Sequence, residues 1–248
     1  MKKKIILHIP HSSVNIPIRE GYVVDMIYLE QEMLKLTDWY TDDLFYSNGD
    51  EMIVADFSRI FCDPERFTDD SIEIMAQYGM GVLYEKSDEG EEIRRVTAEL
   101  KEKVLSEYYS KHQNKLSKAI NRQLDLLGKA LIIDCHSYPS KPFNRDLDKN
   151  SKRPDFNIGT DTYHTPQKLI DLSVSFFKNA GYSLGIDWPY RGSIVPMKYY
   201  QKNKNVQSIM LEINRALYLK EPTNEKSQNY LKTKKVVSEY IETIKNSL

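Results

Sequence analysis

Apolar residues in this chain follow two rhythms. Short continuous runs alternate with longer stretches in which leucine, isoleucine and valine recur every third or fourth position. The first rhythm marks buried strands, the second amphipathic helices. Runs at Lys4–Ile9, Glu51–Phe57, Ala130–Cys135, Asp155–Thr160, Gly185–Trp188 and Val206–Arg215 predict strands, and Gly79–Leu83 a short strand or turn. Leu36, Tyr40 and Leu44 share a face and predict a helix over Leu29–Tyr46. Val96, Leu100 and Val104, then Leu116, Ile120 and Leu124, predict a helical stretch from Glu91 to Leu127. A break is expected near Ser106–Ser110, and Gly128 is placed as the C-cap. Thr165 as N-cap and Pro166 as first helical residue open a helix to Asn179. A charged amphipathic helix is expected from about Glu225 to the end, with Tyr230, Val236 or Val237, Tyr240 and Ile244 inward. Ser140–Pro154 is a long polar loop of the kind that is often functional. Strands alternating with helices place the chain in the α/β class.

Composition narrows the role. The 248 residues suit one large domain, 1–248, since no repeat, low-complexity tract or linker divides them. Lys+Arg 35 against Asp+Glu 36 leaves a net charge of −1, which gives no electrostatic case for nucleic acid. No apolar run approaches the roughly 18 residues of a membrane helix. Met1-Lys2-Lys3-Lys4 before Ile5-Ile6-Leu7 imitates a signal peptide, but the run stops at His8. These residues read as a first strand preceded by solubilising lysines. Cys62 and Cys135 form no CxxC and no disulfide framework. A cytoplasmic protein is expected, without a membrane or nucleic-acid partner.

The chemistry gathers where the apolar runs end. His11 follows the first run in Pro10-His11-Ser12-Ser13, and His136 follows the third in His136-Ser137-Tyr138-Pro139. In open α/β sheets ligands bind outside the carboxyl ends of the strands. Glu212 lies in the apolar end of the last run, where a carboxylate is costly unless paired or used. Asp38 and Asp42, four apart on the expected helix, would present two carboxylates on one face. Arg59 and Arg66 flank Asp63 after the second run, and Arg191 lies in a later loop. Guanidinium forks at such places suit carboxylate recognition. Ser12 lacks the Gly-x-Ser-x-Gly elbow of a serine nucleophile. His112, near the expected helix break, reads as a structural or surface histidine. Two imidazoles and a carboxylate form a catalytic zinc set with one open position. Zinc can bring the pKa of water to about 7, and Glu212 fits the group that moves its proton.

These residues also sit in motifs. His8-Ile9-Pro10-His11-Ser12, Thr37-Asp38-Trp39, Ser58-Arg59, Asp63-Pro64-Glu65-Arg66, Asp134-Cys135-His136-Ser137, Pro154–Thr160 and Leu211-Glu212 run in order from about residue 5 to 219. Together they resemble the N-formylglutamate amidohydrolase family. The resemblance implies a three-layer α/β/α fold with a mixed central sheet, like that of the zinc carboxypeptidases. His136-Ser137-Tyr138 resembles the last zinc-ligand segment of those enzymes, and Leu211-Glu212 the segment bearing their catalytic glutamate. Two departures stand out. The carboxypeptidase His-x-x-Glu pair is absent, because Val14 stands three residues after His11. Glu65 stands where the family usually has an Asn before the arginine. The implied assignment is His11, Asp38 and His136 on zinc, with Asp42 as the reserve ligand and Glu212 as general base and acid. Arg59, Arg66 and Arg191 would bind substrate, and His112 becomes a second-tier site residue. The implied activity is zinc-dependent amide cleavage of a small acidic N-acyl amino acid, led by N-formyl-L-glutamate. The rivals are a zinc peptidase or cell-wall amidase with the same site, and a non-catalytic binding protein on the same fold. The sequence is silent on oligomeric state.

Overall fold

A computed structural model describes residues 4–248. Lys2 and Lys3, read as solubilising lysines, lie outside the described residues. The strands are β1 (Ile6–Ile9), β2 (Glu51–Val54), β3 (Ala130–Tyr138), β4 (Phe156–Gly159), β5 (Leu184–Ile186) and β6 (Val206–Asn214). The helices are α1 (Met26–Leu36), α2 (Thr41–Leu44), α3 (Ala98–Val104), α4 (Ser110–Leu127), α5 (Gln167–Asn179) and α6 (Tyr230–Ser247). The strands form one sheet in the order β2-β1-β3-β6-β4-β5. β1, β2, β3 and β6 run parallel; β4 lies antiparallel to β6 and parallel to β5, so the sheet is mixed.

The alternation of side chains sorts the strands into two faces. Ile5, Leu7, Ile9, Leu131, Ile133, Cys135, Ile209, Leu211 and Ile213 pack with Phe177 of α5 and Val237, Tyr240 and Ile244 of α6. On the other face Ile6, Ala130, Ile132 and Val206 pack with Leu116, Ala119 and Ile120 of α4. Both faces are thus covered, and β3, buried at every position, is a central strand.

Several boundaries differ from the sequence expectations. The helix expected over Leu29–Tyr46 stops at Leu36, because Thr37 is extended and Tyr40 adopts a left-handed conformation at φ 62°. Asp38 and Asp42 therefore share no helix face: Asp38 is buried and Asp42 exposed on α2. The expected break near Ser106–Ser110 is instead one π-helical turn, Leu105–Tyr109, that carries α3 into α4 without interruption. That turn keeps His112 in phase with Leu116 and Ile120, so His112 is buried rather than on the surface. Pro166, not Thr165, is the residue before α5, and the Thr165 hydroxyl donates to the Ser208 carbonyl. The third strand runs on through His136 to Tyr138, because β6 supplies partners as far as Asn214.

Candidate active site

One face of the sheet changes character along its strands. The positions in phase with Ile6 and Ile132 become His8, Asp134 and His136, and β6 adds Glu212 in the same phase. His8 lies beside Asp134, His136 beside Glu212, and Asn157 of β4 beside Glu212 from the other side. All five are buried. Buried polar groups must be paired or used, and here the pairing is specific.

The residue after β1 is brought to this row by a turn. Asp38 N–H donates to the His11 carbonyl at 3.0 Å, holding the two side by side. The His11 and His136 rings lie 5.0 Å apart. His11 Nε2 pairs with Asp63 Oδ1 at 2.9 Å. His136 Nε2 lies 3.2 Å from Asp134 Oδ1 and 3.2 Å from Glu65. The Nε2 edges thus face carboxylates, and both Nδ1 atoms turn toward one oxygen. Asp38 Oδ2 is 3.1 Å from His136 Nδ1 and 3.6 Å from His11 Nδ1. Asp38 Oδ1 is occupied by Arg215 Nη2 at 2.9 Å. His11 Nδ1 is buried with no hydrogen-bond partner. With its Nε2–H donated to Asp63, that nitrogen presents a lone pair toward a carboxylate, an arrangement that calls for a cation between them.

The titration of the cluster says the same. Burial opposes charge on Asp38, yet the adjoining His11 and His136 imidazoles and the Arg215 charge hold its carboxyl far below the usual range. Burial likewise opposes Glu65, but His136 and His8 keep it well below its ordinary value. His136 is pushed well above its ordinary value by Glu65, Asp134 and Asp38 against the pull of burial. The cluster draws positive charge, and in metal-free protein a proton on His136 supplies it.

A metal fits this donor chemistry in two ways. His11 Nδ1, His136 Nδ1 and Asp38 Oδ2 converge, and each imidazole is anchored at its far nitrogen by a carboxylate, the usual outer-shell support of a zinc histidine. A second way uses Glu65: the groups whose donor atoms all lie within 4.8 Å of one another are His11, Glu65 and His136, and His8, Glu65 and Asp134. Asp38 is in neither of these groups, and His136 Nε2 is hydrogen-bonded to Glu65 itself at 3.2 Å.

Glu212 is 7% exposed and its Oε2 has no partner. Burial raises its carboxyl from 4.5 to about 8, moderated by His136, Arg215 and Arg59. Arg59 donates to Asp63 at 3.1 Å and to the Tyr84 hydroxyl, which itself donates to Asp63. Arg66 lies 3.6 Å from both Asp63 and Glu73, and its Nε is buried without a partner. Arg191 is exposed at the cavity rim. Asp42 is not among the residues lining that cavity. His112 stands behind the site, its Nε2 2.9 Å from His8 Nε2. Burial and the adjoining positive His8 push His112 down to about 3. Asp134 and Glu65 raise His8 to about 9 despite its burial.

His8, Asp63, Glu65, Asp134 and Arg215 thus belong to the cluster although no role was read for them in sequence. For His8 and Asp134 a signal existed: both interrupt aliphatic strands at alternate positions. Glu65 stands out in sequence only as a departure from the family pattern and Arg215 only as the end of an expected strand, and neither position shows what it pairs with.

The fold has known counterparts. The crystal structure of N-formylglutamate amidohydrolase from Ralstonia eutropha JMP134 superposes with a TM-score of 0.84 at 22% identity, covering 99% of this chain and 94% of that one. A gene product of Agrobacterium tumefaciens superposes at 0.67 with 14% identity, covering 98% and 92%. These likenesses place the chain in an α/β architecture with a mixed sheet. In sequence, the N-formylglutamate deformylase of Pseudomonas putida is 24% identical, covering 88% of this chain and 82% of that protein. The Pseudomonas aeruginosa N-formylglutamate deformylase is 23% identical, covering 97% and 92%. The family model of N-formylglutamate amidohydrolase matches residues 3–219. The chain belongs to the N-formylglutamate amidohydrolase family.

Proposed function

We propose that the chain is a zinc-dependent amidohydrolase that cleaves the amide of a small N-acyl amino acid, N-formyl-L-glutamate first, to the free amino acid and the carboxylic acid. The observation that carries this reading is the convergence of His11 Nδ1 and His136 Nδ1 on Asp38 Oδ2, with Glu212 beside His136 in the strand register. His11, His136 and Asp38 would hold the zinc, which supplies Lewis acidity and a more acidic water. Asp63 holds His11 at its far nitrogen, and Glu65 and Asp134 lie against that of His136. Glu212 takes a proton from water and passes it to the departing nitrogen; a carboxyl poised near neutral pH suits both halves of that exchange. Arg66, which lines the cavity, receives the substrate carboxylate, and Arg59 supports it or the developing oxyanion.

The same reading takes residues 1–248 as one amidohydrolase domain with the three-layer arrangement of the zinc carboxypeptidases. Both cysteines are free and buried, which suits a reducing compartment such as the cytoplasm. No helix among the described residues is long and apolar enough to cross a membrane. The test is formate release from N-formyl-L-glutamate by protein of known metal content. About one zinc per chain with turnover supports the reading; turnover undiminished after complete zinc removal overturns it.

A further inference from the structure

The cavity above the cluster is far larger than N-formylglutamate requires. Its volume is about 1140 Å³, above the roughly 300–1,000 Å³ typical of pockets for drug-sized ligands. Its floor is the charged cluster; its outer wall carries exposed apolar side chains among charged ones such as Asp148 and Lys149. Phe67, Ile72, Ile74, Leu147 and Met197 all line it. Ile72 is 57%, Ile74 64%, Leu147 67% and Met197 55% exposed. Single exposed apolar side chains need no explanation, but several gathered around one cavity mark a binding surface. They come from three separate segments of the chain, so no one loop accounts for them. The wall is continuous with the floor that carries Arg66 and Glu212. That continuity favours a substrate as the occupant over a second copy of the chain.

We propose that the enzyme also hydrolyses N-acyl amino acids with a bulky apolar acyl group, a medium-chain or aromatic acyl. The inference rests on the amidohydrolase reading above. The amino-acid carboxylate lies on Arg66 and Arg59, and the acyl group runs outward along Ile72, Ile74 and Leu147. Water adds to the amide carbonyl and the carbon–nitrogen bond breaks. The water oxygen stays on the acyl carbon as a carboxylic acid, and the nitrogen leaves as an amine bearing the transferred proton.

The experiment measures kcat/KM of the zinc-loaded enzyme on N-formyl-, N-acetyl-, N-hexanoyl- and N-benzoyl-L-glutamate. Each methylene removed from water is worth roughly fourfold, so the hexanoyl compound should exceed the acetyl one by at least about tenfold. Ile74→Asp and Leu147→Asp, both at exposed positions, should cut that ratio by on the order of fivefold. Cleavage of the formyl compound with no gain from acetyl to hexanoyl overturns this inference and leaves the amidohydrolase reading standing. Cleavage of none of the four overturns both. A ratio unmoved by the two variants, or variants that change only the oligomeric state, assigns the wall to something other than substrate and also overturns the inference.

Discussion

Replacing Glu212 by glutamine removes its ionisable proton and keeps its shape, which separates two consequences. The first is chemical. General acid–base catalysis contributes roughly 10²–10⁴-fold, so turnover of the zinc-loaded Glu212→Gln variant should fall by about that factor while its zinc, held by other residues, remains. The second is thermodynamic and belongs to the metal-free protein. Burial lifts the Glu212 carboxyl from its ordinary 4.5 to about 8. In the unfolded chain the same group gives up its proton near 4.5. Between these values the folded protein keeps a proton that the unfolded chain has released, so stability falls as pH rises. At about 1.36 kcal/mol per pKa unit, the whole span is worth at most about 5 kcal/mol. Sharing of the titration with His136 brings the expected loss at pH 8.5 to about 2–4 kcal/mol. Glutamine has no such term. Urea denaturation of chelator-treated wild type and variant, from about pH 5 to 8.5, should show a gap in the variant's favour that widens with pH. A gap that stays constant would refute the reasoning, because it would mean that Glu212 is ionised throughout. Near-wild-type turnover in the zinc-loaded variant would refute its role in proton transfer.

Three further outcomes follow from the geometry. Asp38→Asn should abolish stoichiometric zinc binding, whereas Glu65→Gln should retain it; metal analysis of both proteins decides, and the opposite pattern would move the metal to the Glu65 set. Arg66→Met should raise KM for N-formyl-L-glutamate by roughly 10–100-fold with little change in kcat, since a hydrogen bond to a charged group is worth about 1.5–3 kcal/mol. Steady-state kinetics read the split, and an unchanged KM would remove Arg66 from the substrate. Gly159→Ala would drive a methyl group into the Gly192 carbonyl and the Met210 side chain. Such overpacking costs about 1–3 kcal/mol, and a calorimetric melting temperature equal to wild type would show that the segment yields instead.

The parts of the fold that the sequence displayed are those governed by period. Strands β3 and β6 alternate an aliphatic face with a face that includes Asp134, His136 and Glu212, and the α4 row of Leu116 and Ile120 covers the aliphatic start of that second face. Their ends were harder to read. The expected end of the third strand at Cys135 took Ser137 and Pro139 as punctuation, but strand length follows the partner, and β6 keeps pairing to Asn214. The Leu29–Tyr46 helix failed for a similar reason. Leu36, Tyr40 and Leu44 keep helical spacing, yet Asp38 N–H bonds to the His11 carbonyl, a tertiary contact that no local pattern encodes. Asp38 therefore reaches the cluster by leaving the helix, and Asp42, still in the next helical turn, stays outside.

The outer support of the site follows a logic that only the assembled structure exposes. An imidazole offers one nitrogen to a metal only if the other is held, and a carboxylate does so only if its remaining oxygen is neutralised. His11 Nε2 is paired with Asp63, His136 Nε2 with Glu65 and Asp134, and Asp38 Oδ1 with Arg215. Asp63 in turn is flanked by Arg59 and Tyr84, and Asp134 by His8 and the Ile194 N–H. His11 and Asp38 thus depend on partners far along the chain, Asp63 and Arg215, whereas Arg59 and Arg66 find Asp63 within four residues. Glu65 is shared between two imidazoles. It lies within 3.4 Å of His8 Nδ1 and 3.2 Å of His136 Nε2, both of which Asp134 already accompanies. A second carboxylate on the same two imidazoles deepens the attraction for positive charge on the cavity side of His136, where Arg66 and Glu212 also face. Glu65 therefore both holds His136 Nε2 and adds negative charge beside the cavity.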